Sequence, residues 1–142
     1  MEILIIDGQG GKLGRQLVEA VLKAHPEVTL TAVGTNSLAT ETMMKGGARR
    51  FATGENAVIV GARRADVILG PIGIVLADAL LGEISPAMAV AVGQSRAVKI
   101  LVPLNRCETV VAGVNEQGAS ALIADALAKL DAVLAKGAAC SF

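Results

Sequence analysis

The chain has 142 residues, the size of one domain that can bury about two-thirds of its unfolded surface without a disulfide or a structural metal. Its 13 Lys plus Arg balance 13 Asp plus Glu, and two Phe with no Trp or Tyr offer few stacking surfaces, which argues against a nucleic-acid partner. Cys107 and Cys140 lack metal-ligand spacing and no secretory segment precedes Ile3, so both are expected to be free thiols in a reducing, cytoplasmic compartment, with no bound metal.

The first strand is a continuous aliphatic run, Ile3-Leu4-Ile5-Ile6, as expected of a central parallel strand covered on both faces. Residues 12–24 follow as a helix, with Leu13, Leu17, Val18, Val21 and Leu22 at helical spacing and His25-Pro26 as its stop. His25, the single histidine, reads as a solvated helix terminus. Residues 28–33 form a second strand, 37–45 a helix stopped by Gly46-Gly47, and 50–52 a short third strand. Residues 55–61 read as a short helix, although Val58-Ile59-Val60 suits a strand equally.

Residues 67–69 form the fourth strand. The surrounding apolar stretch, 67–77, contains Pro71 and stops at Asp78, well short of the roughly 20 residues of a membrane-spanning helix, so no membrane partner is expected. Two helices follow at 72–81 and 86–92, the second opened by Ser85 as N-cap and Pro86 in the first turn. Residues 99–102 make the fifth strand, 109–114 an antiparallel edge strand beside it, and 119–135 a long closing helix. Strands alternating with helices predict a three-layer, Rossmann-like α/β domain spanning 1–142, with a mostly parallel sheet in the order 3-2-1-4-5. Paired helices before the fifth strand leave its direction open. Apolar residues make up 53% of the chain, an excess that burial between copies, in the simplest case a homodimer, would absorb, and that a parallel sheet buried on both faces would also produce.

The chemistry concentrates at the first strand-to-helix turn, Asp7-Gly8-Gln9-Gly10-Gly11-Lys12-Leu13-Gly14. Gly8 permits a tight turn, Gly10 and Gly11 let backbone amides approach a pyrophosphate, and Gly14 lets the helix pack on the sheet. The helix N-terminus then offers free amides and the positive end of its dipole. The alternative is a glycine turn needed only for packing. Gly14-Arg15 stands where a P-loop would need Lys and Ser or Thr, which disfavours an NTPase. Asp7 suits ribose, a hydrated Mg²⁺ or a buried helix-end contact.

After the second strand come Thr35, Asn36 and Ser37, where an NAD-preferring fold places a carboxylate on the ribose. Hydroxyl and amide donors there suit a 2′-phosphate, with Arg49 or Arg50 as its cation, so NADP is favoured over NAD; equally, Asn36 or Ser37 serves only to cap the next helix. Thr53, Gly54, Glu55 and Asn56, then Gly70 and Pro71, then Asn105, Arg106 and Cys107 fall where later strands end, and in a doubly wound sheet these ends share one rim with the glycine turn. Each also reads as an ordinary turn or cap. If the chain is an enzyme, Glu55 is the candidate acid/base, Arg106 the anion clamp and Cys107 the nucleophile.

The segments GQGGKLG (8–14), GTNSLAT (34–40), TGENA (53–57), GEISPAMA (82–89) and VPLNRCE (102–108) together resemble a small bacterial family of Rossmann-like proteins known as a domain of unknown function. The resemblance covers nearly the whole chain and brings no reaction or catalytic residue with it. The glycine turn alone also looks like that of NADP-dependent reductases, but those usually carry a further substrate-holding segment, for which 119–142 is too short. A stand-alone nucleotide-binding or sensing module therefore leads. A small NADP-dependent oxidoreductase with its site at a dimer interface, and a ligand-free oligomeric scaffold, are the alternatives.

Overall fold

The computed structural model describes residues 1–104 and 108–137. Its five strands, β1 (Glu2–Asp7), β2 (Thr29–Gly34), β3 (Arg50–Thr53), β4 (Val67–Pro71) and β5 (Val98–Val102), form one sheet in the order β3-β2-β1-β4-β5, every pair parallel. The helices are α1 (Lys12–Ala24), α2 (Ser37–Lys45), α3 (Glu55–Arg64), α4 (Pro86–Gln94) and α5 (Ala119–Ala135). Strand alternation divides the core. Ile3, Ile5, Val67 and Leu69 face α1 and α5, whereas Leu4, Ile6 and Ile68 face α3 and α4. The aliphatic runs of β1 and β4 follow from being covered on both faces, and the fold is the expected Rossmann-like α/β arrangement.

Register aligns the strand ends: Asp7 pairs with Gly34, Gly34 with Thr53, and Pro71 with Val102. The glycine turn, the β2 end and the β3 end therefore lie on one rim. The sheet reverses its winding between β1 and β4, the position at which such folds open a ligand crevice.

Two expectations are corrected. Residues 109–114 form no antiparallel edge strand: Val110 is 90% exposed, Gly113 turns with φ 82°, and the segment folds back on a bond from the Val114 amide to the Val111 carbonyl. Residues 72–81 are not a full helix. A single 3₁₀ turn, Ile72–Val75, gives way to a knot of turns in which Asp78, Leu80 and Leu81 have φ of 67°, 57° and 56°. Its local bonds run from the amides of Asp78, Gly82 and Ile84 to the carbonyls of Ile84, Asp78 and Ala79. With only α4 completing the crossover, β5 is parallel to β4.

Candidate functional site

Asp7 ends β1 and turns inward. It is 5% exposed; its Oδ1 accepts from the Gly8 amide at 2.8 Å and its Oδ2 from the Gly14 amide at 2.6 Å. The carboxylate thus ties both sides of the glycine turn together, which settles the Asp7 alternatives in favour of the buried helix-end contact. Burial pushes its carboxyl above the ordinary value, the two backbone bonds pull it down, and the neighbouring Glu83 charge adds to the rise. Gly11, at φ 72°, caps α1 without any side-chain bond, and no acidic residue occupies the first turn.

The glycines divide by what surrounds them. A Cβ on Gly11 would stand 2.7 Å from both the Cα and the carbonyl oxygen of Ala39, and one on Gly14 would stand 2.6 Å from the Met43 sulfur. Those two are demanded by close packing on α2. Gly10 faces open space, so nothing in the fold requires its lack of a side chain.

The rim is organised by Glu83, a residue to which the sequence assigned no role. Its Oε1 accepts from the Gln9 amide at 2.9 Å, the Thr35 hydroxyl at 2.7 Å and the Asn36 side-chain amide at 2.6 Å. Asn36 Nδ2 also donates to the Gln9 carbonyl at 3.0 Å, while its Oδ1 accepts from the Ala39 amide and caps α2. The expected cap and the expected rim donor are therefore one residue. Desolvation raises the Glu83 carboxyl, but the bonds from Gln9, Thr35 and Asn36 outweigh it and hold the group below its ordinary value. Beside it Leu80, 2% exposed, fills the crevice, since a Cβ on Gly8 would stand 2.8 Å from Leu80 Cδ1 and 2.7 Å from Thr35 Oγ1.

The remaining expected positions separate. Lys12 and Ser37 are exposed at the starts of α1 and α2, and Leu13 is buried beneath the turn. Thr53 Oγ1 meets the buried Thr40 hydroxyl at 2.7 Å, Gly54 caps α3 with φ 100°, and Asn56 is exposed on its first turn. Glu55 does not reach the glycine turn; its Oε2 accepts from the Ser85 hydroxyl at 2.6 Å, and that hydroxyl caps α4. Gly70 and Pro71 are buried strand residues, and a Cβ at Gly70 would meet the Ile6 carbonyl at 2.4 Å. Asn105, Arg106 and Cys107 lie outside the described residues.

The cation expected for a 2′-phosphate is misplaced. Arg50 opens β3 and pairs with Glu2 at 3.1 Å, at the opposite end of the strands from the glycine turn, and Arg49 precedes it. Their chain distance from Thr35 had concealed this, because a parallel strand begins at the far edge of the sheet. His25 Nε2 lies 2.6 Å from Asp131 Oδ1 on α5, so it tethers two helices. Among the described residues no helix is long and apolar enough to cross a membrane.

No curated protein matches the chain at a significant level. Among solved structures it is similar to the crystal structure of a dodecameric FMN-dependent Ubix-like decarboxylase from Escherichia coli O157:H7, at 16% identity and a TM-score of 0.47, over 92% of this chain and 95% of that one. The model of the family described as domain of unknown function DUF3842 matches residues 2–135, and the chain belongs to that family.

Proposed function

We propose that the chain binds a phosphate-bearing nucleotide at the rim formed by the ends of β1 and β2. The observation that carries this reading is the convergence of three donors, the Gln9 amide, the Thr35 hydroxyl and the Asn36 side-chain amide, on one oxygen within 2.6–2.9 Å. Such a set suits a phosphate oxygen as well as a carboxylate, and it stands next to the N-terminus of α1, where Asp7 holds the Gly14 amide and the cap residue Gly11 supplies no side-chain bond. Gln9, Thr35 and Asn36 would hold the anion, with the Lys12 and Leu13 amides of the first turn beside them.

NADP is the finer form of this proposal, and the Glu83 charge beside Thr35 and Asn36 counts against a 2′-phosphate there. Thermal unfolding followed by circular dichroism, with NADPH, NADH, ATP, FMN, coenzyme A or pyrophosphate, tests the site and ranks the ligands. A ligand at 100 times its dissociation constant stabilises by about 2.7 kcal/mol. A shift that disappears in Thr35→Val supports the site; no shift with any of them at saturation removes it. The packing of Gly11 and Gly14 on α2 favours a second reading, a scaffold that holds no ligand. Self-association unaffected by every one of these compounds, together with no shift, would favour it.

A further inference from the structure

We infer that Glu83 is an internal competitor for the anion site and that the loop 80–83 is a plug which a phosphate ligand must displace. The inference rests on the nucleotide-binding reading above and states how that site is regulated. An anionic oxygen already sits where the three donors converge, and it belongs to the chain itself. Leu80 stops the adjoining crevice at the β1–β4 reversal, against Gly8.

The loop is short and anchored on both sides by core residues, Ala79 at 5% and Ile84 at 1% exposure. The bond from the Glu83 amide to the Leu80 carbonyl lies within it and the Ile84 amide closes its base on the Ala79 carbonyl, so displacing Leu80 and Glu83 breaks no strand pairing. The 3₁₀ turn at Ile72–Val75 lies on one side and the Ser85 cap of α4, fastened to Glu55, on the other. The closed form holds two leucines, Leu80 and Leu81, in left-handed backbone, which L-residues with large side chains adopt at a cost. Leu81 gains nothing in return, being 95% exposed. Strain of this kind persists where other contacts impose it, and here the Glu83 bonds and the burial of Leu80 supply that restraint.

Two substitutions push the equilibrium in opposite directions. Glu83→Ala, and to a smaller extent Glu83→Gln, remove the competing charge. Leu81→Gly relieves strain in the closed form without removing a buried side chain. Pyrophosphate titrated by calorimetry should bind Glu83→Ala at least about tenfold more tightly than the wild type, the factor expected when a charge-assisted contact no longer competes. Leu81→Gly should bind several-fold more weakly. The Gln9 amide should exchange with solvent faster in Glu83→Ala and regain protection when pyrophosphate is added. Equal or weaker binding by both Glu83 variants overturns the plug while leaving the site standing, as does tighter binding by Leu81→Gly. No binding of pyrophosphate or of any nucleotide to wild type or variant removes the site and the plug together.

Discussion

Gly11→Ala and Gly10→Ala are adjacent, chemically identical changes for which the structure gives opposite outcomes. At Gly11 the backbone has φ 72°, and left-handed backbone costs an L-residue about 1–2 kcal/mol. The new Cβ would also stand 2.7 Å from the Ala39 Cα and carbonyl oxygen, backbone atoms fixed in the first turn of α2, and overpacking of that kind costs about 1–3 kcal/mol. The sum is about 2–5 kcal/mol, or roughly 4–20 °C in Tm at about 2–4 °C per kcal/mol for a domain near this size. At Gly10 the Cβ meets nothing within 4 Å and φ is not positive, so alanine should be neutral or stabilise by about 0.4–1 kcal/mol through the unfolded chain. Urea unfolding read by circular dichroism measures both, since the chain has no tryptophan. Losses of equal size, or a loss below about 0.5 kcal/mol at Gly11, would refute the packing argument. Because Gly10→Ala leaves the fold intact, any ligand response it abolishes reports on binding and not on stability.

The remaining predictions concern the two carboxylates and one orphaned hydroxyl. The folded-state value of Glu83 is lowered, so its stabilising contribution is present above the unfolded value of about 4.3 and fades as pH falls through the lower folded value. Denaturation at pH 7 should find Glu83→Gln less stable than wild type, and the gap should narrow as the pH falls below the ordinary carboxylate range; a gap unchanged by acid contradicts the bonding described. The folded-state value of Asp7 is raised, chiefly by burial, which reverses the sign: its relative contribution is fully present below the unfolded value of about 3.9 and is lost as pH rises through the folded value. Wild type should therefore gain on Asp7→Asn as the solution is acidified from neutrality, and a constant difference across that range would count against a buried, ionising Asp7. Thr31→Val replaces a buried hydroxyl that has no hydrogen-bond partner among the described residues and should stabilise by about 1 kcal/mol, whereas a loss on calorimetric melting would show that the hydroxyl has a partner.

The layered parallel fold, the strand order, the bounds of α1, α2 and α5, and the glycine turn opening α1 were all legible in the order of residues. These depend on local signals: aliphatic runs of strand length, a helical stripe with a polar back, and glycine or His-Pro punctuation. The donors Gln9, Thr35 and Asn36 were legible for the same reason, because a strand end followed by polar residues marks the rim of a parallel sheet.

What meets those donors depends on contacts between distant parts of the chain. Glu83 lies 74 positions from Gln9 and reaches it through left-handed backbone that no periodicity encodes. Residues 72–81 are nearly all apolar, so they lacked the polar face that distinguishes a surface helix from a buried turn. Arg50 was misplaced because closeness along the chain does not tell which end of a strand a residue occupies, and Asp7 was ambiguous because its inward rotation depends on the Gly14 amide beneath it. Local pattern fixes which elements form and where they begin; the partner of a buried or rim carboxylate is set by packing across the sheet, a long-range property that the order of residues leaves open.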